Sequence, residues 1–208
     1  MTIRLHRGDL PDLSRYAGAV AIDTETMGLA LGRDRLCLVQ LSPGDGSADV
    51  VQIPRHGQSA ADAAPNLKRL LTDARLLKIF HFARFDLGML YQAFGVMPEP
   101  VYCTKIASRL TRTYTDKHGL KDLVREMLGH DLSKQQQLSD WGAAELSDAQ
   151  ISYAAADVIY LHALKDRLDA MLAREGREEL AAACFGFLPT RARLDLAGFA
   201  AEDIFAHS

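Results

Sequence analysis

Apolar residues recur with two different periods along this chain. In the N-terminal third they form short strand-like runs: Val20-Ala21-Ile22, Leu36-Cys37-Leu38-Val39-Gln40-Leu41 and Asp49-Val50-Val51-Gln52-Ile53. Polar turns at Gly32–Arg35 and Pro43–Gly46 separate them, so the pattern predicts three strands joined as an antiparallel meander. Gly57–Ala64, rich in Ala, Asp and Ser, reads as a loop. A helix is expected from Ala64 or Pro65 to Asp73, with Pro65 suited to a first turn. Leu76–Phe80 reads as a buried strand feeding a helix from Ala83 to Phe94. After Pro98 and Pro100, a short apolar piece at Val101–Cys103 precedes helical periods only. Ser147-Asp148-Ala149-Gln150 fits a capping box that opens a long helix reaching Arg174. Strands first, then strand alternating with helix, then helices, predict one mixed-sheet α/β domain over residues 1–208.

Composition narrows the function classes. The 208 residues are 48% hydrophobic and 25% charged, a globular mixture that argues against disorder or coiled coil. Lys and Arg number 24 against 27 Asp and Glu, for a net charge of −3, so the chain has no global grip on long polyanions. Action on nucleic acid would need a local site aided by metal cations. The longest run without charged residues, Leu87–Pro98, is too short to span a bilayer. The first residues lack the apolar run of a secretion signal, and three scattered cysteines suggest no disulfide framework. A cytoplasmic protein that does not enter a membrane is the expectation.

Chemistry-bearing residues stand at three places. Asp23 and Glu25, one residue apart at the end of a predicted strand, project to the same side. Two carboxylates so placed repel unless a cation lies between them. Asp86 follows the next buried strand, at the start of a helix whose dipole favours an acid. Tyr153 and Asp157, four apart, share one helix face, and the three intervening alanines let that helix approach a sheet closely. Singly, each has an ordinary reading: a solvated strand end, a helix-terminal acid, a helix-surface pair. Together they form a pattern.

In order and spacing, Asp23-Thr24-Glu25, Asp86 and Tyr153-x-x-x-Asp157 resemble the three motifs of the DEDDy 3'-5' exonucleases, the superfamily of ribonuclease D and of the proofreading domains of DNA polymerases. Longer stretches, among them Lys78-Ile79-Phe80-His81-Phe82, Thr104-Lys105-Ile106-Ala107-Ser108 and Thr111-Arg112-Thr113-Tyr114-Thr115-Asp116, are similar to the nano-RNase C family of short alphaproteobacterial diribonucleotidases. The resemblance implies a ribonuclease H-like fold and hydrolysis of short RNA, dinucleotides above all, to nucleoside 5'-monophosphates. It implies two divalent cations, Mg²⁺ or Mn²⁺. Asp23 would bridge both, Glu25 and Asp157 would complete the nucleophile-side ion, and Asp86 would hold the second through water. Tyr153 would orient or deprotonate the attacking water, and an ordinary phenol pKa of ~10 favours orientation. Thr26, Leu29, His81, Lys134, Gln135 and Trp141 are the implied substrate contacts, with Leu29 as a wedge between the last two bases. A homo-octameric ring is implied as well.

Three points qualify the picture. Ribonuclease D carries HRDC-type helical domains after its nuclease domain, and a chain ending at Ser208 is expected to lack them. Many DEDD exonucleases have Asn four residues before the second-motif Asp, where this chain has Phe82. Trp141 reads equally as core, substrate platform or subunit contact, and Arg109 and Arg112 as facing a phosphate or a neighbouring subunit. The alternatives are a general 3'-5' exonuclease on DNA and longer RNA, and, from another class, a catalytically silent nucleic-acid-binding module.

Overall fold

The computed structural model describes residues 2–55, 60–133 and 135–207. Its strands are β1 (Thr2–Arg7), β2 (Ala19–Thr26), β3 (Leu36–Ser42), β4 (Ser47–Gln52), β5 (Leu77–Phe80) and β6 (Val101–Cys103). They form one sheet in the order β1-β4-β3-β2-β5-β6. β2, β3 and β4 pair antiparallel, which is the predicted meander, while β5 joins β2 and β6 joins β5 in parallel. The apolar pattern does not predict β1, which pairs with β4 in parallel at the sheet edge. An edge strand is only partly covered, and Leu5 lies exposed, so the hydrophobic signal there is weak.

The helices are α1 (Ala60–Ala63), α2 (Pro65–Thr72), α3 (Ala83–Phe94), α4 (Thr104–Thr111), α5 (Leu120–Leu123), α6 (Asp148–Ile159), α7 (Leu161–Glu175) and α8 (Glu178–Leu194). α1 corrects the expectation of a loop across Gly57–Ala64, of which residues 57–59 lie outside the described residues. The capping box is formed: Ser147 Oγ accepts from Gln150 N at 3.2 Å, and Gln150 Oε1 accepts from Ser147 N at 3.0 Å. The single helix expected to reach Arg174 is instead broken at Tyr160, because its two halves have different partners. α6 packs on β2, β3 and β4 and α7 chiefly on α4.

Both faces of the sheet are covered, so all seven residues of β3 are buried. On one face Val20, Ile22, Val39 and Leu41 meet Leu67, Leu70 and Leu71 of α2 and Leu87, Leu90 and Phe94 of α3. On the other, Ala21, Leu38, Val50 and Ile79 meet Ala154, Ala155 and Val158 of α6 and leucines of α7. Each fully buried Leu, Ile or Phe contributes about 1.5–3 kcal/mol, so the two layers hold the sheet from both sides. The alanines bring the α6 backbone close to β2, which places Tyr153 and Asp157. Among the described residues, no helix is long and apolar enough to cross a membrane.

Candidate active site

β2 pairs with β5 only from Ala19 to Ala21, while its pairing with β3 continues to Thr26. Beyond Ala21 the two parallel neighbours part, opening a crevice at the carboxyl ends of the strands, the usual place for a site in an open α/β sheet. Ala21 faces the α6 layer, so Asp23 and Glu25, two and four residues on, face it too. A register shift between Glu25 and Thr26 marks a bulge where the strand leaves the sheet. Asp157 comes down from α6. The result is that Asp23, Glu25 and Asp157 each offer a carboxylate oxygen within 4.8 Å of the others. Asp86, in the first turn of α3, reaches the same end from the opposite layer; it is buried, and its Oδ1 accepts from Thr24 Oγ1 at 2.6 Å. It lies outside the close trio, yet its charge acts on Asp23.

Among the described residues no Lys or Arg side chain pairs with these four acids. Uncompensated charge in a dry setting disfavours ionisation. Burial, then the charges of Asp86, Asp157 and Glu25, pushes Asp23 well above the usual carboxylate range. Burial, then Asp157 and Asp86, lifts Glu25 to about 9. Burial lifts Asp86 to about 7 against the opposing Thr24 hydrogen bond, and Asp157 to about 7. A cluster of hard oxygen donors with no counter-charge among the described residues suits a hard divalent cation such as Mg²⁺ or Mn²⁺, whereas Zn²⁺ favours His and Cys. The Tyr153 phenol is raised above its ordinary value by burial and by Asp157, Glu25 and Asp23, so it stays protonated near neutral pH.

Two lobes of a cleft meet at the acids. A lobe of about 290 Å³ is lined by His81, Leu120, Lys121, Ser133 and Gln137 together with Asp23, Tyr153 and Asp157. A second, of about 410 Å³, is lined by Thr26, Met27, Leu29, Gln137, Leu138 and Trp141 with Asp23, Glu25, Tyr153 and Asp157. Leu29 is 83% exposed, yet its loop is braced. Asp34 Oδ2 accepts from Ala30 N at 2.9 Å, Gln92 Oε1 accepts from Gly32 N at 2.7 Å, and Met27 N donates to Arg35 O at 3.1 Å. A Cβ at Gly28 would stand 2.3 Å from Asp34 Oδ2, so any larger residue would displace the carboxylate that braces the loop. Trp141 is 4% exposed, and its ring packs against Tyr153 with centroids 5.9 Å apart.

Of the other expected contacts, Gln135 is exposed and lines neither lobe, whereas its neighbour Gln137 lines both. Lys134 lies outside the described residues. His81 Nδ1 sits 2.9 Å from Thr104 Oγ1, and burial, helped by Lys105, pushes its imidazole down to about 3. Arg112 is buried and donates to Ser108 Oγ at 3.2 Å, Lys117 O at 2.7 Å and Glu126, so it ties its own segment together. Arg109 is exposed beside a separate groove with Phe82 and Lys105. Phe82 adopts a left-handed backbone, φ 68°, unusual for a bulky residue and tolerated by Asn. Its ring is exposed, with Lys105 Nζ 4.5 Å from the centroid.

Gln40 is a residue that pattern reasoning passes over. It stands directly opposite Asp23 in the β2–β3 ladder, and it is fully buried with both amide atoms lacking a hydrogen-bond partner. The available signal is a lone amide in the apolar run Leu36–Leu41. A buried amide left unpaired beside a carboxylate cluster is costly, by about 1–3 kcal/mol, and suits a site that receives hydrated cations.

Residues 10–173 match the 3'-5' exonuclease family. The chain is 37% identical over 158 residues to ribonuclease D of Granulibacter bethesdensis, covering 76% of this chain and 38% of that protein. It thus spans about two fifths of the length of that curated relative. It is 60% identical to Brucella melitensis NrnC solved with bound Mg²⁺, with all of both chains covered and a TM-score of 0.94. It is 62% identical to the same NrnC bound to pGG, again over both whole chains, with a TM-score of 0.95. With the fold, the acid cluster and these likenesses together, the chain belongs to the 3'-5' exonuclease family and, within it, to the NrnC group.

Proposed function

We propose that this 3'-5' exonuclease finishes short RNA, dinucleotides foremost, by cleaving the bond to the 3'-terminal nucleotide and releasing nucleoside 5'-monophosphates. The observation that carries the reading is the trio of carboxylates within 4.8 Å, paired with no Lys or Arg side chain among the described residues, at the junction of the two lobes. Small-molecule sites run from about 300 to 1,000 Å³, and each lobe lies near the lower end, a size for one small unit on either side of a scissile phosphate.

Asp23, Glu25, Asp86 and Asp157 would hold two divalent cations, Mg²⁺ or Mn²⁺, which when bound supply positive charge for the phosphoryl oxygens and the departing 3'-oxygen. Asp23, Glu25 and Asp157 would hold the cation on the nucleophile side, and Asp86, steadied by Thr24, would help Asp23 to hold the other. Tyr153 keeps its proton and therefore orients the attacking water by hydrogen bonding; its ring is backed by Trp141. Leu29, presented on a braced loop, enters between the two bases, and Thr26 offers its backbone N–H to the terminal sugar. Lys134 and the glutamines that follow it would meet the far nucleotide, with Gln137 the best placed among those described. The likeness to an NrnC solved with pGG supports a dinucleotide ligand. Exposed Phe82, Phe187, Phe199, Ile204 and Phe205 support a homo-oligomer, an octameric ring by the resemblance; elution at monomer mass would contradict that part.

Labelled RNA and DNA substrates of two and seven nucleotides test the reading. Preferential turnover of the RNA dinucleotide is expected. Equal rates at both lengths would instead favour a general exonuclease on DNA and longer RNA.

A further inference from the structure

His81 follows β5 and lines the smaller lobe beside Asp23, Tyr153 and Asp157. Its second neighbour is Thr104, the first residue of α4, which is fully buried. Thr104 Oγ1 lies 3.1 Å from the carbonyl oxygen of Phe80 and 2.9 Å from His81 Nδ1. A carbonyl can only accept, so the single hydroxyl proton of Thr104 goes to Phe80, and a lone pair of Oγ1 faces the ring. His81 Nδ1 must then carry the ring proton, which leaves Nε2 of the neutral imidazole as a bare acceptor. Phosphate oxygens are acceptors too, so Nε2 has nothing to offer a scissile phosphate. The carboxylates of the lobe, Asp23 and Asp157, are likewise acceptors and would hold cations, and the protein's own donors there are the Lys121 ammonium and the Tyr153 hydroxyl, the latter assigned above to the attacking water. Along a sugar–phosphate backbone the only donors are sugar hydroxyls, and the one that separates RNA from DNA is the 2'-hydroxyl.

We propose that Thr104, relaying from the Phe80 carbonyl, fixes His81 as a hydrogen-bond acceptor that reads a substrate ribose 2'-hydroxyl, making the smaller lobe the ribose-selecting side of the cleft. Thr104 is a positioning residue here and His81 is the contact. The inference rests on the short-RNA reading above and adds to it the group that discriminates sugars. A neutral hydrogen bond of this kind is worth about 3- to 10-fold in selectivity.

Two measurements test it. Nitrogen NMR of the imidazole in the wild-type protein is expected to show the Nδ1–H tautomer, and a predominant Nε2–H tautomer would overturn the proposal whether or not any variant folds. Specificity constants for an RNA dinucleotide and its 2'-deoxy counterpart, together with dissociation constants in Ca²⁺, are then compared for wild type, Thr104→Val and Thr104→Ser. The RNA-to-DNA ratio is expected to fall about 3- to 10-fold in Thr104→Val and to recover in Thr104→Ser. Equal loss on both sugars would mark Thr104 as merely structural and overturn the assignment. If the wild-type enzyme turned over neither dinucleotide, the short-RNA reading would fail, while the tautomer would still be decided independently.

Discussion

Replacing Asp157 by Asn should make the metal-free protein more stable while abolishing its activity. Burial raises the Asp157 carboxyl from an ordinary 3.8 to about 7. At ~1.36 kcal/mol for each pKa step of one, that gap is worth about 4 kcal/mol at a pH above 7. Because the folded value is the higher one, the native state holds more protons than the unfolded chain between about pH 4 and pH 9, the upper limit coming from Glu25. Stability of the metal-free wild type should therefore fall as pH rises through that window. Asn cannot ionise, so the variant escapes the penalty but leaves an amide without a designed acceptor, which takes back about 1–2 kcal/mol. A net gain of about 2–3 kcal/mol at pH 8 results, or roughly 4–12 °C in Tm for a chain of this size. At pH 5 the gain should shrink to about 1 kcal/mol or less, since only the interval from 3.8 to 5 then counts. Urea melts of both proteins in EDTA at pH 5 and pH 8 are the assay. A variant no more stable than wild type at pH 8, or a larger gain at pH 5 than at pH 8, would mean that the buried Asp157 charge does not destabilise the metal-free fold. With Mg²⁺ or Mn²⁺ in excess the order should reverse, because ligand binding stabilises only the state with an intact site.

Three further perturbations probe other parts of the site. Leu29→Ala should raise KM for a dinucleotide about 10-fold with less than about 0.5 kcal/mol of lost stability, since the side chain is exposed; a large loss of stability by urea melt would show that it is a packing residue. Ala155→Leu should cost about 1–3 kcal/mol by overpacking the close contact of α6 with the sheet, and should lower kcat by displacing Tyr153 and Asp157. An unchanged kcat would detach helix placement from catalysis. Gln40→Met should raise metal-free stability by about 1 kcal/mol or more by removing an unpaired amide, and weaken Mn²⁺ binding by titration calorimetry. Unchanged Mn²⁺ affinity would leave that amide without a part in the site.

The meander β2–β4, the helix Ala83–Phe94 and the capping box were legible because local chemistry decides them: β-branched and leucine runs between Gly/Pro turns, and a Ser–Gln pair three apart. β1 was not, since its pairing with β4 joins residues more than forty positions apart and its edge position carries little apolar signal. Nor was the break at Tyr160, where the periodicity continues while the partners change from sheet to α4. The three motif positions carried the acids into view, and the fold supplies why they meet: β2 leaves β5 at Ala21 just where α6 crosses. Thr24 beneath Asp86, Gln40 beside Asp23 and Thr104 behind His81 were invisible because their importance lies in what stands across the sheet. Gln135 and Gln137 illustrate the limit of reading a run: identical side chains, of which only the third faces the cleft.

As proposed above, four acids drawn together by β2, α3 and α6 would hold the divalent cations that support hydrolysis of a two-nucleotide RNA. Single-turnover hydrolysis of a 5'-phosphorylated RNA dinucleotide, run for wild type and Asp23→Asn in Mn²⁺ and again in EDTA, tests it most directly. Wild type is expected to form nucleoside 5'-monophosphates in Mn²⁺ alone, with Asp23→Asn slower by about 10³-fold or more. Cleavage that persists in EDTA, or an Asp23→Asn protein as fast as wild type, would contradict it.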